Sequence, residues 1–208
     1  MLEEGLFDRS KPLQIRWGDL PHWRQECATY FVTFRLSDSL PQVRLREWEI
    51  ERKEWREHGG KALLQRSLEQ RARVEQWLDR GLGSCILARA DAYEIVMNAL
   101  RFFNDKRYEL GETGIAANHV HTLVRTALGI DLSDVLYSWK RFTSGQLRKI
   151  PVIRRAFANA PHLWQPESFD HIVRSVTSLD SIRDYIRAHG HENWPDGKSA
   201  AAEFMFGR

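Results

Sequence analysis

The chain has 208 residues, of which 42% are hydrophobic and 28% charged, a composition typical of a globular protein rather than a disordered one. Its net charge of +3 excludes a uniformly basic clamp around nucleic acid, and no apolar run reaches the roughly 18–20 residues of a membrane span. The N-terminus has no basic segment followed by an apolar one, so we expect no secretory signal. Cys27 and Cys85 have no metal or redox spacing and are expected to be buried thiols in a reducing cytoplasm.

The first half of the chain predicts one strand and one helical insertion. Residues 29–36 are rich in β-branched and aromatic side chains, which predicts a strand buried on at least one face. From about 41 to 80 the chain is dominated by Arg, Glu, Gln, Leu and Trp around a Gly59-Gly60 break, which predicts a helical hairpin. This hairpin is either a solvated helix pair packed on one side or an arm that carries arginines along DNA.

The second half alternates helices with extended segments. Helical spacing of apolar residues predicts a helix over 88–105, and a strand over 107–110 is followed by a glycine-containing connection. A clear strand pattern covers 118–125. A helix over 132–149 follows, with Asp131 or Ser133 able to cap it.

The C-terminal quarter predicts short extended segments at 163–165 and 171–174, then a last helix. That helix begins at Ser178 or Asp180 and runs to about residue 189. The order of elements predicts an α+β fold, in which a small antiparallel sheet of the ferredoxin-like or RRM-like kind has helices packed on it. The helical hairpin is an insertion in that fold.

The sharpest chemical feature is the triplet His119-Val120-His121. On a strand, residues i and i+2 project from the same face, so both imidazoles point the same way and can bind one divalent ion. An isolated triplet of this kind also occurs by chance, and histidines of the core or surface are commoner than ligands.

The last predicted helix supplies two further candidates. Tyr185 and His189 are four residues apart and therefore share one helix face. A metal held by His119, His121 and His189 would polarise a scissile phosphate, and Tyr185 would attack phosphorus to form a 5′-phosphotyrosyl link. The alternative is that Tyr185 packs at the rim of the core with its hydroxyl in water.

Basic residues on the predicted helix over 132–149 form a candidate nucleic-acid face, although a plain exposed polar face fits the pattern equally. They are Lys140, Arg141, Arg148 and Lys149. The segment after this helix also has two interpretations. Either Asp170 pairs with Arg174 and Trp164 is core, or Gln165 and Arg174 contact DNA.

Several motifs occur in the same order as in one known family. The segment Asn118-His-Val-His-Thr-Leu-Val resembles the MPNHVHLL-type segment of the REP-associated tyrosine transposases, which are single-tyrosine HUH nucleases. Tyr30-Phe-Val-Thr-Phe-Arg resembles their opening strand, and Ser138-Trp-Lys-Arg-Phe-Thr their helix after the histidine strand. Leu163-Trp-Gln and Phe169-Asp-His are similar to their WQ and (Y/F)DH signatures, and Tyr185-Ile to the start of their nucleophile helix.

The resemblance implies an N-terminal extension over 1–27, an HUH nuclease domain over 28–194 and a C-terminal tail over 195–208. It implies that His119 and His121 bind Mg²⁺ or Mn²⁺ and that Tyr185 is the nucleophile. The expected partner is single-stranded DNA with a REP-like hairpin, contacted by a set of polar side chains. This set comprises Arg35, Lys140, Arg141, Arg148, Gln165 and Arg174. We expect a cytoplasmic, nucleoid-associated bacterial protein without a membrane partner, acting as a monomer or a homodimer.

One departure from the family pattern leaves an alternative function open. The family places Asn four residues after the tyrosine, whereas this chain has His189-Gly190, so the third ligand is His189, His191 or Asn193. Histidine remains a competent ligand that favours Mn²⁺ relative to an all-oxygen site. The changed position also fits a protein that binds DNA hairpins, or RNA, with weakened catalysis.

Overall fold

A computed structural model of the chain describes residues 1–17, 21–40, 76–78 and 80–189, without the side chains of residues 17, 21 and 189. The helical insertion lies almost entirely outside the described residues, and the C-terminal tail entirely outside them. None of the described helices combines the length and apolar composition needed to cross a bilayer.

The described elements form a two-stranded ribbon and a four-stranded antiparallel sheet, with helices between the strands. In chain order they are β1 Gln14–Trp17, β2 Pro21–Arg24, β3 Thr29–Arg35, α1 Ala90–Arg101, β4 Tyr108–Ile115, β5 His119–Thr126, α2 Leu132–Leu147, α3 Pro151–Ala156, β6 Phe169–Ile172 and α4 Val176–His189. The sheet order is β4-β5-β3-β6. The four sheet strands with α1 and α2 therefore have the β-α-β-β-α-β order of a ferredoxin-like fold, which confirms the predicted class.

One face of the sheet packs against α1 and α2. Successive residues of a strand point to opposite faces, so Tyr30 and Val32 of β3 join Val120 of β5 on this side. Trp139 of α2 is 2% exposed in the same core, and its indole nitrogen donates a 2.8 Å hydrogen bond to the hydroxyl of Tyr108. This core covers the side of the sheet away from the two histidines.

The opposite face packs against α4. Phe31 of β3, Leu123 of β5 and Ile186 of α4 form its core and are fully buried. Gly114 of β4 permits the close approach of α4, because a Cβ atom at position 114 would lie 3.1 Å from the carbonyl oxygen of Ile186. The sheet is thus covered on both faces, and α4 is held at a fixed height above β4 and β5.

Most predicted elements are confirmed, and their ends differ by a few residues. The helix predicted over 132–149 is α2, and the side chain of Asp131 caps it by accepting a hydrogen bond from the Ser133 amide. The glycine-containing connection predicted after residue 110 is wrong. Strand β4 continues to Ile115 through a register shift between Leu110 and Thr113, because paired backbone groups tolerate glycine where a neighbouring helix comes close.

Three features of the structure were not predicted or were predicted incorrectly. The ribbon β1–β2 and the short helix α3 are additional elements. Cys27 and Cys85 are half-buried rather than buried. Both residues have positive φ angles: Cys27 lies in a turn between β2 and β3, and Cys85 directly precedes a short 3-10 helix over Ile86–Ala88.

A buried ion cluster holds the ribbon against the sheet. Asp170 of β6 accepts hydrogen bonds from the guanidinium of Arg24 and, at 2.7 Å, from Nδ1 of His22. The other ring nitrogen of His22 lies 2.7 Å from Glu167. Burial alone would raise the pKa of Asp170, but the hydrogen bonds from His22 and Arg24 together lower it. Asp170 therefore pairs with the N-terminal ribbon, and its expected partner Arg174 instead lies over the Trp23 ring at 5.2 Å.

The cluster predicts a pH-dependent stability. Hydrogen bonds to Asp170 and then Glu167 raise the pKa of His22 from 6.5 to about 9. Because the folded pKa is raised, the stabilisation is complete below pH 6.5 and is lost as the pH rises through about 9. It amounts to at most about 3 kcal/mol. Denaturant unfolding at pH 6 and pH 9.5 should show this loss in the wild type and not in His22→Gln.

The comparison with His22→Gln isolates the histidine from other titrating groups. Burial lowers the pKa of Lys140 to about 8, and this lysine is present in both proteins. If the unfolding free energy changed by the same amount between pH 6 and pH 9.5 in both proteins, His22 would not be charged in the folded state.

Candidate active site

The two histidines of β5 lie side by side beneath α4. His119 is 0% exposed and His121 is 1% exposed. Their Nε2 atoms are 2.9 Å apart and their ring centroids 4.5 Å apart. The strand alternation therefore brings the imidazoles together on one face, as the sequence predicted.

Hydrogen bonds to neighbouring residues orient both rings. The amide nitrogen of Asn118 donates to the carbonyl of Leu82 at 2.9 Å, so its oxygen faces Nδ1 of His119 at 2.7 Å. An amide oxygen only accepts, so Nδ1 of His119 carries the proton and Nε2 is the acceptor nitrogen of the ring. Nδ1 of His121 lies 2.8 Å from the hydroxyl of Thr33, which can either donate or accept.

When both rings are neutral and no ion is bound, Nε2 of His121 donates a hydrogen bond to Nε2 of His119. An ion bound to both Nε2 atoms requires His121 to carry its proton on Nδ1 instead. Thr33 would then accept that proton in a hydrogen bond, so the same hydroxyl satisfies both forms of the ring. The donor set therefore fits a divalent metal: two convergent neutral nitrogens, each backed by a hydrogen bond of the kind that orients metal-binding histidines.

Tyr185 of α4 lies beside the histidine pair. Its hydroxyl is 3.5 Å from Nε2 of His121, and the two rings meet at 68° with centroids 5.2 Å apart. Phe31 packs edge-on against Tyr185 and stacks on His121. The next residue, Ile186, is fully buried against the sheet. The buried neighbour sets the rotation of the helix, and the half-buried phenol is thereby directed to the histidines.

The third predicted ligand lies outside the described side chains. The backbone of His189 forms the last residue of α4, whereas His191 and Asn193 lie outside the described residues. Within the described part of the chain, no three His, Cys, Asp or Glu side chains are grouped to hold a metal. The described portion of the site is thus two histidines and one tyrosine.

Four of the predicted DNA-binding residues line one groove between α2 and the segment 161–168. They are Lys140, Arg141, Arg148 and Gln165. The ammonium of Lys140 donates to the carbonyls of Gln165 and Pro166 at 2.9 Å each, and the guanidinium of Arg148 donates to those of Phe157 and Ala160. Both cations therefore also hold the far wall of the groove in place.

The other two predicted DNA-binding residues, Arg35 and Arg174, do not line this groove. Arg35 is the register partner of His119 and so projects on the histidine face of the sheet. Its guanidinium donates to the Ser39 hydroxyl at 3.1 Å. Arg174 is exposed at the end of β6 and rests on Trp23.

The sequence analysis missed the charged cluster of His22, Arg24, Glu167 and Asp170. Its members are separated by about 145 residues of sequence, so no local pattern joins them. A signal for the ribbon was present, because a Gly18-Asp19 pair stands between two short extended runs, a common hairpin pattern.

Residues 89–189 match the family model described as IS200-like transposase. The matched segment contains β5 with both histidines and α4 with the tyrosine. Over this segment, just under half of its length, the chain is similar to the IS200-like transposases. Transposases cut and rejoin DNA, and those of this kind generally use a divalent metal.

Two solved structures are similar to the chain at low identity. A REP-associated tyrosine transposase bound to a REP hairpin is 15% identical with a TM-score of 0.44, over 77% of this chain and 65% of that one. This chain therefore spans less than two thirds of that protein's length. A putative transposase from Deinococcus radiodurans is 13% identical with a TM-score of 0.38, over 77% and 89% of the two chains. None of the curated proteins matches the chain.

The orientation of His121 generates a prediction for metal affinity. Thr33→Val removes the hydroxyl that accepts from Nδ1 of His121, and loss of such a partner weakens metal binding by about 10–100-fold. Thr33→Ser should keep wild-type affinity. Isothermal titration with Mn²⁺ measures both.

Thr122→Val provides the matched control, since Thr122 is equally buried and bonds Thr113 at 2.7 Å without touching the histidines. The role of Thr33 would be refuted by a Thr33→Val protein that binds Mn²⁺ as tightly as the Thr122→Val protein.

Proposed function

We propose that the chain is a metal-dependent endonuclease and strand transferase that acts on single-stranded DNA at hairpin-forming, REP-type repeats. The observation that carries this proposal is the position of the Tyr185 hydroxyl, 3.5 Å from Nε2 of a buried histidine pair. Phe31 and His121 hold the phenol ring by edge-on contacts, and its hydroxyl is directed at imidazoles whose outer nitrogens face Thr33 and Asn118.

The proposed reaction uses Tyr185 as the nucleophile. Its phenolic oxygen gives up its proton to water and bonds to the scissile phosphorus. The bond from phosphorus to the 3′ oxygen breaks, and that oxygen leaves as a 3′-hydroxyl after taking a proton from water. The product is a 5′-phosphotyrosine that conserves the energy of the broken bond, so a 3′-hydroxyl can attack it and restore a DNA strand. His119 and His121 hold Mg²⁺ or Mn²⁺, and His189 is the candidate third ligand. Such an ion would stabilise the charge that develops on the phosphate.

The choice of substrate rests on the family match and on the ordered motifs of the sequence. Those motifs resemble the REP-associated tyrosine transposases, whose substrates are hairpins in single strands. The basic groove beside α2 supports the proposal, because Lys140, Arg141 and Arg148 can neutralise phosphates. We propose that the protein works as a monomer or homodimer and has no membrane partner.

A covalent adduct with DNA tests this function. The protein is incubated with end-labelled single strands that carry hairpin repeats from its own genome, with Mn²⁺ or Mg²⁺, and the products are separated under denaturing conditions. We expect a labelled protein band in the wild type. Tyr185→Phe should abolish it because no nucleophile remains, and His119→Ala should reduce it by at least about 100-fold because a metal ligand is lost.

Two controls make the result specific. Tyr137→Phe alters a tyrosine that lies on α2, away from the histidines, and should form the adduct normally. Phe31 packs on Tyr185, so the fold of the Tyr185→Phe protein is checked by its circular dichroism. An adduct that persists in Tyr185→Phe would exclude this residue as the nucleophile.

A second candidate function is hairpin binding without turnover. The residue that favours it is His189, which replaces the asparagine of the family pattern and is followed by Gly190. A pure binding protein would retain its affinity for the hairpin in the presence of a chelator and would form no adduct. The same reactions, repeated with EDTA and with a matched RNA hairpin, distinguish this function from the first.

A further inference from the structure

The groove beside α2 contains an aromatic residue that the sequence analysis did not single out. The groove has a volume of about 500 Å³ and lies between α2 and the segment 161–168. One face of α2 lines it, because its lining residues recur every three or four positions. They are Leu136, Tyr137, Lys140, Arg141, Ser144 and Arg148.

The positive charge of this groove is not neutralised locally. Among the described residues, no carboxylate forms an ion pair with Lys140, Arg141 or Arg148. The nearby acids, Glu167 and Asp170, pair with His22 and Arg24 at one end of the groove. The groove therefore presents three cations to a ligand that brings its own negative charge.

Tyr137 gives the groove a flat apolar surface between these cations. Its side chain is 64% exposed, although a large aromatic ring is usually placed where it buries area. The guanidinium of Arg141 lies over the ring, 6.0 Å from its centroid. An open aromatic ring beside an arginine in a basic channel is the arrangement that binds unpaired bases, because every base has a stacking face and a phosphate next to it.

We propose that this groove binds the unpaired DNA next to the hairpin, with one base stacked on Tyr137 and the adjacent phosphate at Arg141. A paired base is unavailable to Tyr137, because its faces are covered by its neighbours in the duplex. The site therefore distinguishes the single-stranded flank from the hairpin stem. The inference rests on the proposed function for the identity of the strand and adds to it a specific site for the flank.

The groove is connected to the histidine pair through one strand residue. The carbonyl of Arg35 accepts a 2.9 Å hydrogen bond from the amide of Gln165, which lines the groove. Arg35 is also the register partner of His119. Arg35 therefore lies in the sheet between the wall of the groove and the histidine pair.

Binding measurements on two substrates test the proposal. One is a fluorescent DNA hairpin with a single-stranded flank, and the other is the same hairpin with blunt ends. All measurements use the full chain carrying Tyr185→Phe with EDTA present, so that cleavage does not contribute. Tyr137→Ala should weaken binding to the flanked hairpin by about tenfold, the range of one lost base stack. It should leave binding to the blunt hairpin unchanged, and Tyr137→Phe should bind both as the parent does.

Phe142→Ala is the matched control. Phe142 is an exposed aromatic residue of the same helix, 52% exposed, that does not line the groove. Its removal should affect neither substrate. Abasic sites placed one at a time in the flank locate the stacked base. At one position, the abasic site should weaken binding of the parent by the same factor of about ten, and Tyr137→Ala should then cause no further loss of affinity.

Three outcomes would overturn the proposal. One is equal affinity of Tyr137→Ala and its parent for the flanked hairpin. Another is an equal loss on both substrates, and the third is a Tyr137-dependent affinity that is higher for an RNA flank than for a DNA flank. The adduct assay reports separately on Tyr185. If the groove does not bind the flank, the Tyr185-dependent adduct still forms. If the protein does not cleave DNA, binding of the flanked hairpin still depends on Tyr137 but no adduct forms.

Discussion

The sheet is covered on both faces, and the position of every residue in the site depends on that constraint. In β5, Val120 and Val124 belong to the core beneath α1 and α2, whereas His119 and His121 lie beneath α4. A shift of one residue in the pairing of β5 would exchange these two sets. It would bury imidazoles among apolar side chains and present valine to Tyr185. The apolar core on one side therefore fixes the register on which the chemistry of the other side depends.

Burying polar groups so deeply is tolerated because each has a defined partner. The outer nitrogens of the two histidines face Asn118 and Thr33, which leaves the inner nitrogens directed at each other. At the edge strand β6, both carboxylate oxygens of Asp170 likewise have partners, in Arg24 and His22. The two clusters lie on opposite faces of the sheet. One is the histidine pair beside Tyr185, and the other fixes the N-terminal ribbon beside the basic groove.

The sequence predicted the parts of the site whose geometry is local. The spacing of His119 and His121 on a strand determines their common face, and the fold class follows from the order of elements. The match of residues 89–189 to a transposase family agrees with the family that the motifs indicated. Long-range partners could not be predicted. Asp170 was expected to bind Arg174 four residues away, but it binds Arg24 across the fold, because the hairpin that carries Arg24 docks on β6. Thr33 has no motif of its own and acquires its role only when β3 pairs with β5.

The pairing of β3 in the sheet also constrains how the protein can be made. This strand leaves the ribosome before its partners β5 and β6, which lie about 90 and 140 residues later in the chain. Until they emerge, Phe31 and Phe34 of β3 have no sheet to enter, and an unpaired strand of this composition can join another nascent chain. The sheet can therefore close only after β6 has been synthesised, and expression at a low rate of synthesis or with chaperones that shield extended apolar segments should favour the native chain over aggregates.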